Sequence, residues 1–191
     1  MKNKNKKHNL ANRFDIKLLL VLAVFIFVFS FFTKSYASPV NETKLVELAN
    51  IERTKNNLKP LNFNSSLYFA ASIKAEDMLE KDYFEHYTPD GKSPWDFIKS
   101  ANYTYSKAGE NLAMDFLTSE GITNAWMASP AHRANILDPD FDEIAIAAID
   151  GDFNGHETTM VVEMFGKKEN NVIKYQFNNI VNKITSFLFG L

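Results

Sequence analysis

The sequence contains no cysteine among its 191 residues. Disulfide bonds, thiolate metal sites and a cysteine nucleophile are therefore excluded, and the fold must be held together by its packed core alone. The sequence also has no serine in a nucleophile elbow, no His-Glu-x-x-His motif and no glycine-rich phosphate loop. Because these signatures of hydrolases and nucleotide-binding proteins are missing, the sequence favours a binding protein over an enzyme.

Basic side chains are scarce after residue 37, where 14 of them stand against 22 acidic ones and give a net charge of −8. Such an acidic domain has no basic stripe for nucleic acid, and as a whole it has no basic surface for anionic lipid. We therefore expect no nucleic-acid partner.

Residues 1–37 have the features of a secretory signal. Residues 2–17 hold six basic side chains and one acidic one, and residues 18–32 carry no charge. A helix over residues 18–32 would be ~22 Å long, shorter than the ~30 Å hydrocarbon core of a bilayer. Since Ser35-Tyr36-Ala37 supplies small residues where a signal peptidase reads them, we predict cleavage after Ala37. The alternative is an uncleaved membrane anchor. In both cases the domain is secreted or held at the outer face of the cytoplasmic membrane.

Residues 38–168 have the pattern of one α+β domain. Apolar residues at helical spacing predict helices that start near Thr43, Asn64, Ser93, Ser119 and Ser129. Alternating or β-rich segments predict strands at 108–114, 141–150 and 158–165, with a hairpin loop at 151–155. Helices followed by a meander favour a sheet that is covered by helices on both faces.

Three polar motifs stand out in this domain: Glu85-His-Tyr-Thr-Pro-Asp-Gly91, Gly109-Glu-Asn-Leu-Ala113 and Trp126-Met-Ala-Ser-Pro-Ala-His-Arg-Ala-Asn-Ile-Leu137. In the third, Ser129 is predicted to cap a helix that has Pro130 at its first position. His132 then lies in the first helical turn, where the helix dipole disfavours imidazolium and keeps the ring neutral. A neutral imidazole can bind a metal ion or accept a proton.

In this order the three motifs resemble the prokaryotic, SCP-like extracellular branch of the CAP superfamily, which includes cysteine-rich secretory proteins, insect venom antigens and pathogenesis-related plant proteins. The resemblance extends from Leu45 to Gly166. It implies an α+β fold, namely a three-layer α-β-α sandwich with a mainly antiparallel central sheet, and a central cleft lined by histidine and glutamate. The absence of cysteine departs from the animal and plant members and indicates a bacterial or archaeal source.

The resemblance places His86 and Glu110 in this cleft. Two other positions do not match, because Ser129 and Met160 stand where animal and plant relatives carry glutamate and histidine. Including the Ser-Pro-x-His-Arg histidine of the prokaryotic branch and a strand carboxylate, the predicted cleft residues are His86, Glu110, His132 and Glu163. Two histidines and a carboxylate can hold zinc with a fourth position open to water, so the predicted metal ligands are His86, Glu110 and His132. The same groups could instead work by acid–base chemistry without a metal.

These observations favour an exported CAP/SCP-like domain whose cleft binds a divalent metal, zinc before the others, or a small peptide or lipid ligand at the cell surface. The alternative function is a metal-dependent hydrolase of peptides or cell-wall polymers. The expected partner is a small ligand or a component of the cell envelope.

Residues 169–191 follow the family core and are predicted to form an amphipathic helix. This helix packs on its own domain, or it lies on a membrane surface or binds a partner. It and residues 18–32 are the two candidates for membrane association. Its apolar stripe consists of Ile173, Phe177, Ile180, Val181, Ile184, Phe187, Leu188 and Leu191.

Overall fold

The structure is a computed structural model that describes residues 39–169 and 171–189. The predicted signal or anchor in residues 1–37 lies outside the described residues and stays a prediction. Within the described ranges, none of the helices has the length and apolar character needed to cross a membrane.

A four-stranded sheet forms the centre of the domain. Its strands are β1 (Asn62–Phe63), β2 (Tyr105–Ala113), β3 (Glu143–Phe153) and β4 (His156–Lys168), in the spatial order β1-β3-β4-β2. β3 and β4 form an antiparallel hairpin, β2 pairs antiparallel with β4, and the short β1 runs parallel to β3. The sheet is therefore mainly antiparallel, as predicted, and β2 is one of its two edge strands.

The described residues form six helices: α1 (Glu42–Lys55), α2 (Ser65–Glu80), α3 (Pro94–Ser100), α4 (Ser119–Ala128), α5 (Pro130–Ile136) and α6 (Asn171–Phe189). α3 and α5 each begin with proline, whose fixed φ suits the first helical position and whose missing N–H would have no helical partner there.

Two helix caps differ from those predicted. Asn41 rather than Thr43 caps α1, because its side-chain oxygen accepts a hydrogen bond from the backbone N–H of Lys44. Ser129 holds the N-cap position of α5, but its hydroxyl makes no capping hydrogen bond. Ser129 is also the C-cap of α4, and its backbone N–H donates to two carbonyl oxygens of that helix. A single residue thus joins two helices, and Pro130 sets the start of α5.

Each face of the sheet carries its own apolar core, because successive strand residues point to opposite faces. On β4, Val162 and Met164 face one core, whereas Val161 and Phe165 face the other. The helices contribute Leu67, Ala71, Met78, Phe97 and Ile98 to the first core, and Leu45, Ala49, Ile122, Trp126 and Ile136 to the second. α2 and α3 therefore cover one face and α1, α4 and α5 the other, which confirms the three-layer sandwich.

A buried arginine fixes the C-terminal end of α5. The guanidinium of Arg53, in α1, donates to the carbonyl oxygens of Ile136 and Asp138 at 2.9 and 2.7 Å. These bonds satisfy carbonyl groups that a helix end leaves without a partner. The short helix that carries His132 is thereby tied to the helix beside it.

Candidate ligand-binding site

His86 and Glu110 form a hydrogen-bonded pair. Nδ1 of His86 lies 2.6 Å from Oε1 of Glu110. His86 belongs to the loop that follows α2, and Glu110 lies on the edge strand β2. The Glu110 side chain is 2% exposed and the His86 side chain is 52% exposed. The carboxylate is therefore the buried part of the site, and the imidazole is open to solvent.

A buried lysine fixes the loop that carries His86. Lys74 lies on the apolar face of α2 and has no exposed surface. Its ammonium group donates to the carbonyl oxygens of Glu85 and His86 at 2.9 and 3.0 Å, and to the hydroxyl of Tyr83 at 3.1 Å. Because an ammonium group has three donors, all of them are used to hold this loop in place.

The three ionisable groups shift one another's pKa values. Burial raises the pKa of Glu110, and the neighbouring His86 and Lys74 oppose this shift. The hydrogen bond to Glu110 raises the pKa of His86, against the effect of partial burial. Burial lowers the pKa of Lys74, while the charge of Glu110 favours its protonated form. Both pKa values are therefore raised, so each of the two groups holds its proton to higher pH than it would in water.

The second carboxylate oxygen of Glu110 has no partner. Oε2 is buried and makes no hydrogen bond to any residue that the structure describes. A buried acceptor without a donor costs ~1–3 kcal/mol, and more when it is charged. This oxygen therefore favours the binding of a donor group from water or from a ligand.

A pocket of about 320 Å³ lies at this pair. It is lined by His86 and Tyr87 of the loop, Pro94 and Trp95 of α3, Ala108, Gly109 and Glu110 of β2, and Asn135 of α5. This volume suits a small ligand. Larger depressions of about 430, 500 and 510 Å³ lie elsewhere on the described surface, but none of them contains a buried carboxylate. We therefore take the His86–Glu110 pair as the candidate site.

His132 approaches His86 from the other side of the edge strand. It lies in α5, whereas His86 follows α2, and these helices cover opposite faces of the sheet. Burial, followed by the charge of His86, lowers the pKa of His132. This direction agrees with the neutral ring predicted from the sequence, but the main cause is burial rather than the helix dipole.

Glu163 lies beneath the surface and does not line the pocket. Its side chain is fully buried, and its Oε2 accepts a hydrogen bond of 2.8 Å from the amide of Asn111. The same amide donates to the backbone carbonyl of His132, and Asn135 donates to Oδ1 of Asn111 at 2.8 Å. Glu163 thus anchors a polar network that joins β4, β2 and α5. Burial raises the pKa of Glu163 to about 8.

The predicted metal ligands are not grouped as a set of three. Across residues 39–169 and 171–189, no three or more His, Asp or Glu side chains are placed to hold one metal ion. Nδ1 of His86 and Oε1 of Glu110 already bond to each other, and His132 belongs to the opposite helical layer. The residues present do not fit a three-ligand zinc site in this arrangement, and zinc binding stays a prediction from the resemblance.

Three residues of the site were not identified from the sequence: Lys74, Asn111 and Asn135. Lys74 could have been found, because it interrupts the apolar stripe of α2 at a position that helical spacing assigns to the core. The two asparagines lie inside the motifs that were identified, but the sequence carries no signal that their amides bond to each other across two elements.

The fold and the site define a small α-β-α domain with a polar pocket at the edge of its sheet. The family model of CAP, the Cysteine-rich secretory protein family, matches residues 46–165, which is more than half of the chain. The chain belongs to the CAP family.

Two curated relatives from Bacillus subtilis (strain 168) match part of the chain. The uncharacterized protein YkwD is 44% identical over 109 residues, which are 57% of this chain and 42% of YkwD. The uncharacterized membrane protein YlbC is 26% identical over 106 residues, which are 56% of this chain and 31% of YlbC. The match thus spans less than half the length of each relative.

Solved structures share the fold. An extracellular protein with an SCP domain from Bacillus anthracis is 24% identical, with a TM-score of 0.58 over 66% of this chain and 40% of that chain. An outer surface protein from Borrelia burgdorferi is 23% identical, with a TM-score of 0.61 over 70% of this chain and 99% of that chain. Both similarities confirm the α+β fold.

Proposed function

We propose that this chain is an exported binding protein whose pocket takes a small ligand with a hydrogen-bond donor, such as a short peptide. The observation that carries the proposal is the buried, unpartnered Oε2 of Glu110. An N–H, O–H or ammonium group would supply the missing donor, and its bond to a carboxylate would be charge-assisted. Pro94 and Trp95 add apolar surface to the pocket. The preferred ligand therefore carries a donor next to an apolar group.

Export is supported by the signal features of residues 1–37 and by the solved relatives. One of these relatives is described as an extracellular protein and another as an outer surface protein. An exported pocket would meet peptides and envelope components rather than cytoplasmic metabolites.

Binding is favoured over hydrolysis because the pocket offers no obvious nucleophile. The residues that line it include no serine or threonine, and the sequence has no cysteine. Metal-dependent hydrolysis of peptides or cell-wall polymers remains the alternative function.

Ligand capture tests this proposal. The protein is recovered from an exporting bacterial host without denaturation, and bound small molecules are identified by mass spectrometry. We expect the parent to retain a molecule with a donor and an apolar group, and Glu110→Gln to retain at least about tenfold less. Glu157→Gln removes an exposed carboxylate that lines a different depression and is the matched control. Equal retention by the parent and Glu110→Gln, or no retained molecule, would contradict the proposal.

The zinc prediction has its own test. The prediction from the resemblance requires zinc chloride to bind the parent in calorimetry, to bind His132→Ala more weakly, and to lose binding at acid pH because protonated histidine cannot ligate. If the parent and a variant with both His86→Ala and His132→Ala bind zinc with equal affinity, these histidines are not zinc ligands.

A further inference from the structure

Helix α6 exposes an apolar stripe. Five of its side chains lie at helical spacing and are 40–64% exposed: Phe177, Ile180, Val181, Ile184 and Leu188. A continuous stripe of this kind is normally covered by a core, a partner or a membrane. The described residues of the domain leave these five side chains exposed. Packing of α6 on its own domain, which the sequence left open, is therefore not observed for them.

The charge of the chain is divided between the domain and its tail. Residues 38–168 hold 12 basic and 21 acidic side chains, a net charge of −9, whereas residues 169–191 hold two lysines and one glutamate, a net charge of +1. The overall acidity that argued against anionic lipid therefore belongs to residues 38–168 only. The tail has the opposite sign, and no acidic residue lies within α6.

A second copy of the chain is a poor partner for this helix. Neither α6 helix carries an acidic residue, so two copies could not form the lysine–carboxylate pairs that flank many paired helices. The stripe also includes Val181 and Leu188 beside Phe177, Ile180 and Ile184, which makes it wider than a two-position coiled-coil seam.

We propose that α6 lies in the surface of an anionic lipid bilayer, with the stripe in the acyl boundary and Lys183 among the headgroups. A helix with an apolar face, a polar face whose only charged residues are two lysines, and no acidic residue has the chemistry of an interfacial anchor. α6 is not apolar enough to span a membrane, so it would lie parallel to the surface. This inference is independent of the ligand proposed for the pocket.

Vesicle sedimentation tests this inference. The chain from residue 38 to residue 191, which lies within the compact unit Ala37–Leu191, is mixed with phosphatidylcholine vesicles with or without 30% phosphatidylglycerol. We expect sedimentation with the anionic vesicles, weakened by salt, and at least about tenfold weaker binding when Ile180→Ser and Ile184→Ser are combined. Asn182→Ser changes an exposed polar residue of the same helix and is the matched control.

Three outcomes would overturn the inference. They are no sedimentation of the parent, equal sedimentation of the parent and the double serine variant, and a parent dimer in analytical ultracentrifugation that the serine variant dissociates without any vesicle binding. Because the substituted residues are exposed and lie outside both cores, an unchanged melting temperature will show that the domain still folds.

Discussion

Lys74 is the residue on which the geometry of the site most depends, although it has no exposed surface. We predict that Lys74→Met lowers the free energy of unfolding by about 1–3 kcal/mol, because two loop carbonyls and a tyrosine hydroxyl lose their buried donor. Urea unfolding measures this loss. Lys81→Met, at the exposed end of the same helix, should change stability by no more than about 0.5 kcal/mol. Equal effects of the two variants would show that the buried lysine does not hold the loop.

Glu163 should make the protein less stable as pH rises. Burial raises its pKa from 4.5 to about 8, so the folded state keeps a proton that the unfolded state releases. Its contribution to stability is complete below pH 4.5 and falls between pH 4.5 and 8. Glu163→Gln removes this titration, so its melting temperature relative to the parent should increase from pH 5 to pH 8. A constant difference across this range would show that Glu163 is ionised in the folded protein at all these pH values.

At the scale of elements, the site exists because β2 is an edge strand that helices from both layers can approach. Gly109 lets Phe141 and Asn135 of α5 lie close to this strand, since a Cβ there would lie 2.9 Å from Cζ of Phe141 and 3.3 Å from Oδ1 of Asn135. We predict that Gly109→Ala destabilises the domain by about 1–3 kcal/mol through overpacking. Thermal unfolding checks this value, and adding Phe141→Leu should recover part of the loss. If adding Phe141→Leu restores no stability, the contact with Phe141 is not the cause of the loss.

The sequence predicted those elements whose signals are local. Helical spacing, Ser-Pro starts and strand alternation located the helices and the hairpin, and the motifs identified His86, Glu110 and His132 as residues of interest. The pairing of His86 with Glu110 followed from the resemblance alone, because 24 residues separate them and no periodicity connects them. The bonds from Arg53 to the end of α5 span 83 and 85 residues. Such contacts depend on the three-layer packing, which local patterns do not contain.

The whole chain combines three features with different roles. An acidic three-layer domain carries the pocket, an amphipathic tail without acidic residues in its helix follows it, and residues 1–37 are predicted to direct export. The match covers only part of the length of each bacterial relative. The pocket at β2 is the feature of the CAP domain that we propose to bind ligand.

The most direct test of this claim is a nuclear magnetic resonance titration of the labelled chain, residues 38–191, with two fragments of similar size. Phenethylamine presents an ammonium donor beside an aromatic ring, and 3-phenylpropanoate presents a carboxylate beside the same ring. We predict that the amine shifts the backbone amide signals of His86 and Glu110 and the acid does not. Its affinity should fall at least about tenfold in Glu110→Gln and stay unchanged in Glu157→Gln. Equal shifts by both fragments, or equal affinity of the amine for the parent and Glu110→Gln, would contradict the account.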